Sequence, residues 1–273
     1  MTEMAKEGIL ITFEGGEGSG KSTHIGFLSR ALRDAGREVV TLREPGGTRV
    51  GEALRAIVLD PAHDEIDDRT ELLLYETARA QLVAEVIAPA LARGAIVLCD
   101  RFTDSTMAYQ AFGRGLPLEF VERANAFACC GIEPHRTVLM TTGMEASVGL
   151  TRATKDEGAD RLEAAGEEFH ARVNAGFLAL AERYPQRIRI VQSSDTKVAT
   201  CADVFSAVAD LFPDIELPPA CTVVEAVQTA EEESRVAGET SRVAAELLQT
   251  AEEAPQAAAV TAVSQVLENG CGE

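Results

Sequence analysis

The sequence predicts an α/β domain, a central parallel sheet with helices on both faces, followed by an acidic C-terminal extension. Three observations carry this expectation. Short apolar, β-branched runs alternate with helix-length segments, a run of glycines joins the first strand to the first helix, and the composition changes at Pro213.

The first strand is Gly8–Phe13, a nearly unbroken apolar run of the kind that is buried on both faces of a parallel sheet. Lys21–Ala35 reads as a helix closing at Gly36, and Val39–Leu42 as the next strand. A long helix is expected over Asp68–Leu91, ending near Gly94, before the clearest second buried strand, Ala95–Cys99. Val138–Met140 and Ile188–Val191 supply two shorter strands, and Glu167–Glu182 and Ala202–Phe212 supply helices. Residues 1–213 are thus expected to form one domain.

From Asp214 to Glu273 the chain has 12 acidic and 2 basic residues, net −10 of a total of −19, so more than half of the excess charge lies in the last stretch. That stretch holds Pro218-Pro219 and a Glu-Glu-Glu-Ser run at 231–234, but no aromatic residue. The expectation for 214–273 is disorder or transient helix. Val236, Val243 and Leu247, or Val260, Val263 and Leu267, could line helical faces, so an unidentified protein partner or self-association is the alternative.

A net charge of −19 repels a nucleic-acid backbone and an anionic bilayer, so neither is expected as a partner, and an anionic ligand must be met by a local cluster of donors. No stretch has 18 continuous apolar residues, and the opening MTEMAKEGIL has no basic-then-apolar leader, which makes the cytoplasm the expected location. The six cysteines show no CxxC pair and no metal-ligand spacing with histidine, so reduced thiols are expected and zinc chemistry is not.

Gly15 to Ser22 spells GxxxxGKS between a predicted strand and a predicted helix, which specifies a P-loop NTPase fold. Gly15, Gly16, Glu17, Gly18, Ser19, Gly20, Lys21, Ser22 and Thr23 are expected to cradle the ATP phosphates. The glycines let N–H groups turn inward, Lys21 reaches the outer phosphates and Ser22 can ligate Mg2+. The bland alternative is a glycine-rich turn with a surface lysine, but the chain has only four lysines and one falls at this position. Asp100 stands at a strand end, where it can order the metal or its waters, and Arg101 beside it can fork onto a phosphate. His24 reads as a packing imidazole, since an ionised phosphate acceptor requires no general base.

The set GGEGSGKST, Arg43-Glu-Pro-Gly-Gly-Thr48, Ala78-Arg-Ala-Gln81 and Asp100-Arg-Phe-Thr-Asp-Ser-Thr-Met-Ala-Tyr-Gln110 resembles the thymidylate kinase family, from about Ile9 to Pro213. The resemblance implies phosphoryl transfer from ATP to dTMP with Mg2+, and a homodimer. It implies that Arg43 and Pro45 wall the monophosphate site and that Arg101 grips the phosphate. Tyr75, where phenylalanine is usual, would stack on thymine, and Arg79 would contact the base. Ser105 and Thr106 would reach the pyrimidine edge, Tyr109 and Gln110 would lie near the sugar C2′, and Glu14 beside the 3′-hydroxyl. Packing roles are the alternative for Tyr75 and Tyr109.

Gly149–Glu163 resembles the family's lid, with Arg152 and Lys155 as catalytic donors, Lys21 and Arg101 completing the cationic set. Thr154 and Asp156 stand where arginines are common, and TTGMEASVGL at 141–150 departs from the family's aspartate and proline-acid element. Other readings of the same residues are a different nucleoside or nucleoside-monophosphate kinase, or an ATP-binding regulatory or scaffold protein with weak transferase activity.

Overall fold

The computed structural model describes residues 7–142, 160–162 and 165–235. Five strands form one parallel sheet: β1 (Ile9–Glu14), β2 (Val39–Arg43), β3 (Ile96–Asp100), β4 (Arg136–Thr141) and β5 (Ile188–Gln192), in the spatial order β2-β3-β1-β4-β5. Sequence pattern and position agree. The three inner strands are buried almost without interruption, whereas edge strands β2 and β5 alternate, leaving Ile190 exposed. The order reverses direction at β1, so the loop after β1 lies at a topological switch point, where ligands of open α/β sheets bind.

The helices are α1 (Lys21–Asp34), α2 (Arg49–Val58), α3 (Asp68–Leu82), α4 (Ala88–Ala92), α5 (Thr103–Thr106), α6 (Leu118–Ala128), α7 (Glu167–Arg183) and α8 (Lys197–Val208). The single long helix expected over Asp68–Leu91 is interrupted by a π-helical turn at Val83–Ile87. Pro89 has no N–H to return to the carbonyl four residues back. The ladder widens just before it, with Ala88 N–H donating to Val83 O. Helices α2, α5 and α6 were absent from the sequence reading. Thr48 is the signal for α2, since its hydroxyl accepts from Gly51 N at 2.9 Å as an N-cap.

Two apolar clusters hold the layers together. One joins Leu10, Val97 and Cys99 to Leu82, Ile87, Ala90 and Phe102. The other joins Leu139 and Ile188 to Tyr109, Phe169, Val173 and Phe177. Each fully buried Leu or Phe contributes about 1.5–3 kcal/mol relative to exposure, and Leu10, Phe13, Leu98 and Phe102 are all completely buried.

After a short 3-10 turn at Ala209–Leu211, a helix spans residues 220–235. The first compact unit runs to Val224, and it includes buried Val223 and Val224 beyond Pro213. The second unit begins at Glu225, and its described part is the helical stretch to residue 235. The apolar faces anticipated at Val236–Leu247 and Val260–Leu267 lie outside the described residues. No described helix is long and apolar enough to cross a membrane. Cys99, Cys129 and Cys201 are buried, Cys130 and Cys221 exposed, and all five are free thiols.

Candidate active site

The turn from β1 into α1 requires glycine for a definite steric reason. Gly15 has φ +125, and a Cβ there would stand 2.0 Å from the Met140 carbonyl oxygen on β4. Gly20 caps α1 at φ +90. The loop between them lies against the N-terminus of α1, where unpaired N–H groups and the helix dipole favour an anion. Ser193, at the end of β5, steadies it by donating from its hydroxyl to Ser19 O at 2.9 Å. His24 is buried one turn into α1, its Nδ1 2.9 Å from Gly20 O and its ring edge-on to Phe27, which is a packing role.

Lys21 folds over this loop and donates to Gly15 O at 3.2 Å and Gly16 O at 2.9 Å. Burial and the neighbouring Arg101 charge push its ammonium down to about 8. An anion beside it would favour the charged form by supplying the opposite charge. Ser22 Oγ donates to Asp100 Oδ2 at 2.6 Å, so the two oxygens proposed for a metal are adjacent and face the cavity. Among the described residues no cluster of three or more His, Cys, Asp or Glu could hold a metal by itself. An oxygen pair completed by substrate phosphates and waters matches the preference of Mg2+.

Arg101 follows β3 in the left-handed region, φ +67, which is strained for a side chain with a Cβ. Its N–H is fixed to Phe13 O at 2.9 Å. Its guanidinium pairs with Glu17, donates to Ser105 Oγ at 3.2 Å, and lies over the Tyr109 ring, 5.2 Å from the centroid. The Arg101 charge holds the Glu17 carboxyl down at about 2. Thus the anion already on Arg101 comes from the phosphate loop itself.

One cavity of about 700 Å3 joins these groups. Its phosphate-loop side is lined by Glu17, Gly18, Gly20, Lys21, Ser22 and Thr23, and its far side by Arg43, Pro45, Tyr75, Arg79, Ser105, Thr106, Tyr109 and Gln110, with Asp100 and Arg101 between. Gly15, Gly16 and Ser19 shape the loop without lining the cavity. Glu14 lies beneath it, fully buried, its carboxylate accepting from Phe102 N at 2.8 Å, from Ser105 N at 3.2 Å and from the Ser105 hydroxyl. Burial and the nearby Asp104 charge push Glu14 upward. Glu14 does not line the cavity, whereas Glu17, three residues on, does.

Arg79 is 1% exposed and all of its N–H donors are engaged. Nε and Nη2 meet Glu44, Nη1 meets Glu76 at 2.9 Å and Asn125 Oδ1 at 2.7 Å, and Nη2 also meets Phe102 O at 3.0 Å. It therefore ties α3 to the loop after β2, and burial pushes its partner Glu44 up to about 7. Gln110 donates to Glu71 at 2.8 Å, and Glu71 also receives Arg114 and Arg161. Arg43 is half exposed and pairs with Glu52 at 3.1 Å.

Several lining groups were not anticipated as site residues. Arg55, on α2, donates to Pro45 O at 3.0 Å and adds a cation to the far wall. Glu44 lies in the 43–48 segment expected to wall the site and Asp160 was expected as a nucleotide-ordering acid of the lid segment, and both line the cavity, whereas Leu59, Leu162 and His170, like Arg55, were not anticipated. Thr48 starts α2 and so could have located Arg55, whereas the others depend on long-range folding. The lid donors Arg152 and Lys155, and most of the 141–150 departure, lie outside the described residues.

The family model described as thymidylate kinase matches residues 13–204. The chain is 48% identical over 204 residues to thymidylate kinase of Gloeobacter violaceus, covering 75% of this chain and 95% of that protein. It is 46% identical over 211 residues to thymidylate kinase of Solidesulfovibrio magneticus, covering 75% of this chain and all of that one. The crystal structure of thymidylate kinase from Ehrlichia chaffeensis superposes with a TM-score of 0.60 at 28% identity, over 74% of this chain and 99% of that chain.

Proposed function

The chain belongs to the thymidylate kinase family, and from that premise we propose how its cavity divides the work of phosphorylating dTMP. The reaction is ATP-dependent transfer of the γ-phosphoryl group to dTMP, giving dTDP and ADP in dTTP synthesis. The single observation that carries the division is the continuity of the cavity. A phosphate loop and a forked arginine line one cavity, as in-line transfer between two phosphates requires.

In this reading the loop 15–20 and the start of α1 hold the ATP phosphates, and Lys21 neutralises the outer ones. Ser22 and Asp100 would hold Mg2+, which would supply Lewis-acid neutralisation of developing charge there. Arg101 exchanges Glu17 for the dTMP phosphate, and Arg55 adds positive potential from α2. Tyr75 offers its ring to thymine, with Ser105, Thr106 and Gln110 on the same wall, and Tyr109 crowds a 2′-hydroxyl. Direct contact of Arg79 with the base would require it to exchange one of its present partners. Glu14 acts from below by holding Ser105. Arg43 and Pro45 form the outer rim, and lid residues Arg152 and Lys155 supply further donors.

Purified protein with ATP, Mg2+ and dTMP should form ADP and dTDP one for one. ADP production that continues without dTMP would assign the loop to an ATPase instead.

A homodimer in the cytoplasm is part of the same proposal. Helices α2, α3 and α6 pack side by side and leave apolar side chains exposed: Val50 and Ile57, Leu73, and Phe120 and Phe127, the last 89% exposed. The members of each pair are seven residues apart and so share one helix face. Phe127→Asp is expected to halve the mass in light scattering while leaving the thermal midpoint of the monomer fold nearly unchanged. A wild-type monomer at assay concentration would refute the dimer. An unidentified protein partner for the acidic extension, residues 214–273, is a further part of the proposal.

A further inference from the structure

Behind α5, on the side away from the substrate cavity, lies a second cavity of about 550 Å3. Four of its charged groups form two pairs, Arg183 with Glu122 and Arg187 with Asp104, and the second pair has a consequence for the reaction. Asp104, on α5, is almost completely buried, and it accepts two hydrogen bonds from Arg187, Nη1 to Oδ2 at 2.6 Å and Nη2 to Oδ1 at 2.7 Å. Thr137 of β4 donates to the same Oδ2 at 2.9 Å and accepts from Arg187 Nη1 at 2.7 Å. Thr137 is linked in turn to Thr12 of β1 at 2.8 Å. Arg187 itself is fixed, its guanidinium 5.1 Å from the Tyr184 ring centroid and its carbonyl accepting from Thr137 N at 2.9 Å.

On its other side, α5 is held by Glu14 through Phe102 N and Ser105 N. Ser105 Oγ, one residue from Asp104, accepts from Arg101. The four-residue helix is therefore clamped between Glu14 on one side and Arg187, through Asp104, on the other, and the side chain that orients Arg101 rides on it. We propose that Arg187 is a positioning residue for phosphoryl transfer: acting through Asp104, it fixes α5 and thereby the placement of Arg101 and Ser105 toward the acceptor. Among the described residues the side-chain partners of Arg187 are Asp104, Thr137 and Tyr184, none of which lines the substrate cavity. Its effect is indirect, and a small misplacement of a phosphate-gripping arginine is costly to rate. The phosphate loop and Ser22 do not ride on α5 and meet Arg101 through Glu17, so the ATP side should change less than the acceptor side.

This inference rests on Arg101 facing dTMP, and the experiment separates the two. KM and kcat for dTMP and for ATP, with thermal midpoints, are measured for Arg187→Gln, Arg187→Lys and the double variant Asp104→Asn/Arg187→Gln, with Arg101→Lys as reference. Arg187 is 20% exposed and borders the second cavity, so a shorter polar side chain there meets water. The double variant also leaves no unpaired buried charge, which keeps the test valid if Arg187→Gln folds poorly. The expected result is a rise of about tenfold in KM for dTMP in Arg187→Gln, with KM for ATP within about twofold. Lysine should restore part of the loss, and the double variant should be no worse than the single. If Arg101→Lys raises KM for dTMP but the Arg187 variants leave it unchanged, or alter both substrates equally, the positioning role is overturned. If Arg101→Lys and Arg187→Gln both act on ATP instead, the positioning role stands and the assignment of Arg101 to dTMP falls.

Discussion

Arg101→Ala is expected to lower kcat/KM for dTMP by about a thousandfold, roughly 4 kcal/mol of transition-state stabilisation, while KM for ATP changes by less than about threefold. Two effects add. The forked donor is lost, and Glu17, whose carboxyl Arg101 holds at about 2, is left as an unpaired anion on the cavity wall facing the incoming phosphate. Glu17→Gln placed on top of Arg101→Ala should therefore recover part of the activity by removing that repulsion. The pair also has a pH signature. A carboxyl depressed from 4.5 contributes stability above its unfolded value, and that contribution disappears as pH falls from about 4.5 toward 2. Arg101→Ala should flatten this acid limb in denaturant titrations. Unchanged dTMP kinetics would remove Arg101 from the acceptor site.

Gly15→Ala is expected to abolish measurable ATP binding, with a loss of more than about a hundredfold in kcat/KM for ATP, and to lower stability by about 3 kcal/mol or more. The added methyl would stand 2.0 Å from the Met140 backbone oxygen, where no side-chain rotation relieves it, and alanine disfavours φ +125. The loop or β4 must move. Gly16 offers the internal comparison, since a Cβ there meets nothing within 4 Å, so Gly16→Ala should keep the thermal midpoint close to wild type. Calorimetric titration with ATP and thermal unfolding of both variants measure the difference.

These predictions depend unequally on sequence and on folding. The inner strands were legible because burial on both faces writes itself as an unbroken apolar run, and GxxxxGKS located the phosphate loop because backbone geometry demands glycine there. Edge strand β5 was legible to within one residue, whereas inner strand β4 was read short, as Val138–Met140, because Arg136 and the flanking threonines interrupt its apolar run. The break in the long helix was missed because Pro89 disturbs the ladder upstream of itself, which periodicity does not show. Glu17 could not be matched to Arg101 from the sequence, because the two stand 84 residues apart and meet only where β1 and β3 pair. The same holds for the partners of Arg79, which lines the cavity and is also a brace: its four acceptor groups lie outside its Ala78–Gln81 motif. Arg55 escaped because its helix was not anticipated. Asp104 and Arg187 drew no notice because a network spanning β1, β4, α5 and the turn before β5 has no local pattern.

The most direct test of a cavity built for thymidine monophosphate is a comparison of acceptors. With ATP and Mg2+ fixed, kcat/KM is measured for dTMP, dUMP, CMP and thymidine. Arg101 requires a phosphate, and the wall around Tyr75 reads the base. dTMP should therefore exceed thymidine by more than about a thousandfold and CMP by more than about a hundredfold, while dUMP, which lacks only a methyl group, should trail by about 10- to 200-fold. Thymidine or CMP turned over within about tenfold of dTMP would contradict that division of the cavity.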